Sequence, residues 1–152
     1  MKRKSPLSLI PRDDLDEVLF NSLRSVHKFE LAKVATFGLN YEAIFLLQFL
    51  RRNSPAKMSE IAEEMNIPIS TATRVVDRVE AKGLISRKKD LKDNRIILVS
   101  LKSKGEKIVR EVEDHTFEII SKNLAEFNED KIRSFIETAS HMGKILSVRK
   151  DS

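Results

Sequence analysis

Cysteine and tryptophan are absent from this 152-residue chain. The lack of cysteine excludes disulfides, thiolate metal sites and thiol-based redox sensing. No apolar run approaches the roughly 20 residues of a membrane-spanning helix, so we expect no membrane association. The basic N-terminus leads into a segment that is too short and too rich in proline for a signal peptide. We therefore expect a cytoplasmic protein.

Motifs of known catalytic chemistry are missing as well. The sequence holds no nucleophile elbow, no phosphate loop and no HExxH pair. It has no internal repeat and no low-complexity segment. With 41% hydrophobic and 34% charged residues, the composition is typical of a helical, water-soluble chain. We therefore expect a binding protein, not an enzyme, with no cofactor and no metal.

Positive charge is concentrated in one part of the chain. Residues 66–105 contain ten Lys and Arg against four Asp and Glu, a net of +6, whereas the whole chain carries +5. The remainder therefore sums to −1. A local basic surface is the electrostatic signature of phosphate binding, which favours nucleic acid as a partner.

The same stretch has a helical pattern. Over Ser70 to Lys82 the apolar residues Ala72, Val75, Val76 and Val79 recur on one side at about 100° per residue. The opposite side carries hydroxyls and guanidinium groups. Such a face fits against base edges and phosphates, because no large apolar group intervenes. The polar members are Ser70, Thr71, Thr73, Arg74, Asp77 and Arg78.

A glycine and a β-hairpin follow this helix. Gly83 ends the helix, Leu84 to Lys88 is a predicted strand, residues 90–94 have turn chemistry, and Arg95 to Leu101 is the returning strand. Ser59 to Met65 supplies the helix before the turn. This order predicts a winged helix-turn-helix.

Four further helices are predicted outside the hairpin region. They run from Asp14 to about Val34, with capping-box spacing to Glu17, and over Tyr41–Arg52, Ser103–Phe127 and Glu129–Val148. Asn40 is the expected cap of the second. The small winged helix-turn-helix lobe cannot cover all the apolar surface of the first helix and the last two helices. We therefore expect these three helices to interlock with a second copy of the chain.

The predicted fold is thus mainly α with a small β-hairpin wing. Residues 37–102 form the winged lobe, and residues 12–36 and 103–152 form the dimerisation helices. Residues 1–11 are a basic arm, either a disordered tail or an extra contact to phosphate or to the partner copy.

The stretch resembles the MarR family of bacterial transcriptional regulators. The resemblance is carried by Ser70-Thr71-Ala72-Thr73-Arg74-Val75-Val76-Asp77-Arg78-Val79-Glu80-Ala81-Lys82-Gly83-Leu84-Ile85, then Arg87, Asp93-Asn94-Arg95, Leu101 and Lys104-Gly105. It implies an obligate homodimer that binds a pseudo-palindromic duplex as a repressor. It also implies a small-molecule effector that alters the spacing of the two lobes.

Candidate DNA contacts follow from the face and from the resemblance. The recognition helix offers Ser70, Thr71, Thr73, Arg74 and Arg78. The wing motif of the family is Asp, variable, Arg; Asp93 and Arg95 match it, and Asn94 stands where the family often has Arg. Asp93 either pairs with the Arg95 guanidinium or caps the tip backbone. The remaining predicted contacts are Arg87, Lys88, Lys89, Lys92 and Asn94, for which ordinary solubility is the alternative.

Two other sites are weighed against simpler explanations. Aromatic side chains that could line an effector pocket are Phe29, Phe37, Tyr41, Phe45 and Phe117, with plain core packing as the alternative. His27, His115 and His141 lie on the predicted dimer helices, either as a metal-sensing cluster or as unrelated histidines. The alternative function is a protein-interaction winged helix that uses its basic face on an acidic partner.

Overall fold

The computed structural model describes residues 10–148, and the predicted elements that it contains occur in the predicted order. The helices are α1 (Arg12–Phe37), α2 (Tyr41–Asn53), α3 (Met58–Glu64), α4 (Ile69–Ala81), α5 (Ser103–Leu124), α6 (Glu129–Ser140) and α7 (Met142–Ile145). The strands are β1 (Ala56–Lys57), β2 (Ile85–Lys89) and β3 (Ile97–Leu101). The mainly helical fold with a small β-hairpin is thereby confirmed. None of the helices in this part of the chain is long and apolar enough to cross a membrane.

The chain divides into two compact units, the first ending at Val112 and the second beginning at Glu113. The core of the first unit is built largely from α2 and α4. Leu46 and Leu50 of α2 are fully buried, as are Ala72 and Val76 of α4. The apolar stripe predicted on the recognition helix is therefore the face that packs inward, and its polar face is left outside.

The sheet contains one strand that the sequence did not reveal. Its order is β1-β3-β2, all antiparallel, with Ala56 opposite Val99 in the first pair. Both of these residues are fully buried. A two-residue strand is too short to show alternation, so only the tertiary pairing identifies β1.

Local signals set several element ends as predicted. The Asn40 side chain accepts a hydrogen bond from Ala43 N–H at 2.9 Å and caps α2. After α4, Gly83 takes a left-handed φ of +73° and its N–H donates to Glu80 O at 2.8 Å. Gly is favoured there because a Cβ is strained at positive φ.

The predicted start of α1 is wrong. The helix begins at Arg12, two residues before Asp14, after Pro11, and Pro11 provides no side-chain cap. The Asp14–Glu17 capping box therefore does not form the helix end; Asp14 lies in the first turn, where its charge suits the helix dipole. Of the predicted arm, only Ile10 and Pro11 belong to the described residues.

The second unit holds the end of α5 with α6 and α7. The predicted single helix from Glu129 to Val148 is wrong, because it breaks at His141 into α6 and α7. The His141 ring nitrogen Nδ1 lies 2.9 Å from Glu137 O, and Ser140 Oγ donates to the same carbonyl at 2.7 Å. These side chains compete for the helix carbonyl. Helix α5 also ends at Leu124, before the predicted Phe127.

Candidate nucleic-acid interface

The exposed face of α4 carries the predicted reading residues. Ser70 and Arg74 are exposed, whereas Thr71 and Thr73 are half-buried. The Thr73 hydroxyl donates to Ile69 O at 2.8 Å, which leaves its oxygen lone pairs as acceptors. The helix starts after Pro68, whose carbonyl accepts from the N–H groups of residues 71 and 72. The first N–H groups of any helix lack an intrahelical acceptor, so this end of α4 favours anions.

The tip of the wing is organised by two aspartates. The Asp90 carboxylate accepts hydrogen bonds from Lys92 N–H at 2.8 Å and Asp93 N–H at 3.0 Å. Asp93 in turn accepts from Arg95 N–H at 3.0 Å. Asp93 therefore caps the backbone of the tip through the Arg95 N–H, as in the second of the two roles predicted for it.

Asp90 was not singled out from the sequence, although aspartate at the first position of a turn is a recognised signal. Hydrogen bonds from the backbone N–H groups of Asp93 and Lys92 lower the pKa of its carboxyl below the ordinary value. The ionised carboxylate thus holds the loop that presents Arg95.

The cations around this tip face solvent. Lys88, Lys89 and Lys92 are exposed, as are Asn94 and Arg95. Within residues 10–148 none of these side chains has an ion-pair partner. Unpaired cations on a hydrogen-bonded hairpin are available to phosphate oxygens without first breaking an ion pair.

Arg87 is placed differently from these neighbours. Its Nη1 lies 2.7 Å from Asp77 Oδ1, and its Nη2 lies 2.7 Å from Glu80 Oε2. Its Nε also donates to Glu80 Oε2 at 3.0 Å, and its backbone N–H donates to Glu80 Oε1 at 3.2 Å. The hydrogen bond to Glu80 raises the pKa of the Arg87 guanidinium, with partial burial opposing and the charge of Asp77 assisting.

Arg78 is also engaged within the lobe. Its Nη2 lies 2.8 Å from Glu42 Oε2 at the start of α2, and both side chains are about half exposed. Because the pair is exposed, its contribution to stability is small and a stronger anion can displace it. The acidic partners Glu42, Asp77 and Glu80 were not predicted, since only the tertiary structure brings them to the arginines.

Four of the five predicted pocket aromatics lie in the first unit. The Tyr41 and Phe45 rings are 6.1 Å apart at an interplanar angle of 44°. The Lys33 ammonium lies 5.3 Å from the centroid of the Phe29 ring. Phe37 packs against the core, and Phe117 is an exposed residue of the second unit.

Tyr41 borders an open depression in the first unit. Apolar side chains make up most of that depression, and Glu30 and His27 add polar groups to it. The lining residues are Leu23, Val26, His27, Glu30, Leu31, Val34 and Tyr41. Between residues 10 and 148 no three His, Cys, Asp or Glu side chains lie close enough together to hold a metal ion. His27, His115 and His141 therefore do not form the metal-sensing cluster considered for them.

Comparison with known proteins points to one family. The MarR family model matches residues 39–97. The HTH-type transcriptional repressor MdtR of Bacillus subtilis (strain 168) is 34% identical over 95 residues, which are 62% of this chain and 61% of MdtR.

Solved structures share the fold. A MarR family protein from Bacillus stearothermophilus superposes with a TM-score of 0.81 at 20% identity, covering 95% of this chain and 99% of that one. Streptococcus pneumoniae FabT, solved in complex with DNA, has a TM-score of 0.75 at 19% identity, covering 90% of this chain and 97% of FabT.

Proposed function

We propose that the protein is a sequence-specific transcriptional regulator that binds double-stranded DNA. The premise is that residues 39–97 of this chain belong to the MarR family. The observation that carries the proposal is the pairing of an exposed hydroxyl-and-arginine face on α4 with a wing of unpaired cations in the same compact unit. FabT, which shares the fold, was solved with DNA. In this function the protein catalyses no reaction. It acts in the cytoplasm, where its DNA target lies.

DNA reading is assigned to the first turns of α4. Ser70, Thr71, Thr73 and Arg74 face the major groove, where Arg offers a bidentate match to guanine. Arg95 enters the flanking minor groove from a tip held by Asp93. Lys88, Lys89, Lys92 and Asn94 contact phosphates, and Arg78 joins them when it leaves Glu42.

Two copies are needed for a pseudo-palindromic operator. Each recognition helix occupies one of two successive major grooves, about 34 Å apart along the duplex. The exposed apolar side chains of α1 and of the second unit support association into this homodimer. MdtR is named as a repressor, and we propose the same direction of regulation here.

An effector is proposed to act on the lobe spacing. Its pocket is assigned to aromatic side chains, of which Tyr41 borders an apolar depression in the first unit. The assigned residues of this unit are Phe29, Phe37, Tyr41 and Phe45. A ligand that binds one spacing more tightly than the other lowers DNA affinity by population shift.

The test is fluorescence anisotropy with duplexes taken from upstream of the protein's own coding region. We expect tight binding to one inverted repeat, a strong preference over scrambled competitor, and affinity that falls steeply as salt rises. Binding indifferent to sequence would remove the regulator proposal and favour the winged helix as a module for acidic protein partners.

The wing is tested separately with Arg95→Ala. We expect a loss of about 1–3 kcal/mol in DNA binding, because a groove contact is removed without a change in the fold. Arg133→Ala on α6 is the matched control; it removes an exposed arginine of the second unit and should leave affinity unchanged. Equal affinities of Arg95→Ala and the parent protein would exclude Arg95 from the interface.

A further inference from the structure

Arg87 lies between the recognition helix and the wing, and the sheet register explains why. Arg87 of β2 is the Cα partner of Val99 in β3, so both side chains leave the same face of the sheet. Val99 is fully buried. Arg87 therefore emerges on the side where the core and α4 lie, whereas its neighbour Lys88 emerges on the other side.

Every nitrogen of the Arg87 guanidinium contacts a carboxylate. Nε and Nη2 both lie within 3.0 Å of Glu80 Oε2, and Nη1 lies 2.7 Å from Asp77 Oδ1. These two acids are three residues apart and so share one face of α4. The fork geometry of arginine suits this arrangement, which a lysine cannot reproduce.

The trio is poorly suited to a phosphate contact. One guanidinium and two carboxylates sum to a net charge of −1, and two carboxylate oxygens already lie within 3.0 Å of the guanidinium nitrogens. A phosphate at Arg87 would be repelled by these two carboxylates. The sequence assigned Arg87 to phosphate, together with the lysines beside it, because residue type alone does not distinguish a paired arginine from an unpaired one.

We propose that Arg87 is a positioning residue that fixes the wing to the recognition helix, so that α4 and Arg95 reach adjacent grooves as one rigid body. The inference rests on the proposed function. Four contacts connect the third residue of β2 to α4: three from the side chain and one from the Arg87 backbone N–H. The Arg87 side chain is 30% exposed, and the Glu80 and Asp77 side chains are 34% and 51% exposed, so the three groups form a partly solvated charge network.

The proposal is tested by whether neutralising the acidic partners of Arg87 weakens or tightens DNA binding. If Arg87 positions the wing, Asp77→Asn and Glu80→Gln weaken DNA binding, by about tenfold for Glu80→Gln, because a neutral amide with a single acceptor oxygen replaces the carboxylate that makes three of the four contacts. If Arg87 contacts phosphate, the same substitutions tighten binding, since they remove negative charge beside the DNA. Glu64→Gln on α3 is the matched control for loss of one exposed carboxylate and should have little effect.

A measurement without DNA keeps this inference separate from the proposed function. Amide hydrogen exchange of residues 85–101 should quicken in Glu80→Gln and in Arg87→Gln, and stay at the parent rate in Glu64→Gln. Arg87→Lys should restore little protection, because a point charge lacks the fork. Unchanged wing exchange in Glu80→Gln, or tighter DNA binding by it, overturns the positioning role. A parent protein that fails to bind DNA but shows the exchange pattern overturns only the proposed function.

Discussion

At the residue scale, the charged side chains of the wing fall into two groups. One group makes hydrogen bonds or ion pairs within the protein, and the other is exposed to solvent without an ion-pair partner. Asp90 and Asp93 accept backbone hydrogen bonds at the tip. Arg87 is bound to acids of α4. Arg95 carries its charge into solvent. Charge counting along the sequence locates the basic region correctly, but it treats these groups alike because partnership is a tertiary property.

Asp90 makes the tip sensitive to acid. Its folded-state pKa is lowered by the backbone N–H groups of Asp93 and Lys92, so its contribution to the turn is present above the unfolded-state pKa and is lost as pH falls through the folded-state pKa. We expect a carbon NMR titration of the Asp90 carboxyl to give a midpoint below the ordinary aspartate value. Amide exchange at Lys92 and Asp93 should quicken in the same acidic range.

Two variants of Asp90 distinguish its role as a hydrogen-bond acceptor in the turn from the titration of its charge. Asp90→Asn retains an acceptor oxygen, so its tip should stay ordered and lose the acid response. Asp90→Ala should have fast exchange at Lys92 and Asp93 at every pH. The same acid response in Asp90→Asn as in the parent protein would contradict the assignment to this carboxylate.

At the scale of elements, the start of α5 packs closely against Leu84, the residue that precedes strand β2 of the wing. Lys102 N–H donates to Leu84 O at 3.0 Å. A Cβ added to Gly105 would lie 2.1 Å from that same carbonyl oxygen and 3.2 Å from a methyl carbon of Leu101. The Lys-Gly pair in the resemblance therefore has a packing reason: only glycine allows the helix backbone this close to Leu84.

Gly105→Ala should be strongly destabilising. The clash is with backbone, which cannot move aside as a side chain does, so we expect a loss of roughly 2–4 kcal/mol in the free energy of unfolding. Urea unfolding followed by circular dichroism, at one protein concentration, measures it.

Gly143→Ala is the matched control for this substitution. A Cβ at Gly143 meets nothing within 4 Å, and alanine is the better helix former. We expect the free energy of unfolding to stay within about 1 kcal/mol of the parent value. If both alanine variants unfold at the parent urea concentration, the close approach at Leu84 is not a constraint.

At the scale of the whole molecule, exposed apolar surface is the outstanding feature. On α1, Phe20 and Leu23 are more than 60% exposed. In the second unit, Phe117 and Phe135 are similarly open, and no residue of α6 is buried. Surface of this extent on helices is typical of an interface, which supports the homodimer proposed above.

Leu23→Glu should weaken the homodimer. A charge placed on α1 must be desolvated when two copies associate, so sedimentation equilibrium should show a shift from twice the chain mass toward the monomer. Leu91→Glu is the control, because Leu91 is an apolar residue of the wing tip and is fully exposed. A monomeric parent protein at all concentrations would contradict the homodimer.

The sequence by itself determined the elements whose signals are local. The stripe of Ala72, Val75, Val76 and Val79 defined α4, Gly83 marked its end through positive φ, and Asn40 marked the start of α2. Each of these features depends on one helix face or on one backbone angle. Both are set by residues that are close together in the sequence. The hairpin and its basic tip follow from the same kind of signal.

Only the tertiary structure decided which groups meet across elements. Strand β1 exists because Ala56 pairs with Val99, and a pair of residues has no pattern of its own. Arg87 turns toward Asp77 and Glu80 because the sheet register points it there. The close approach of Gly105 to Leu84 likewise depends on a contact that composition and periodicity do not encode. Distances between residues far apart in sequence are set by packing, and packing is a property of the whole fold.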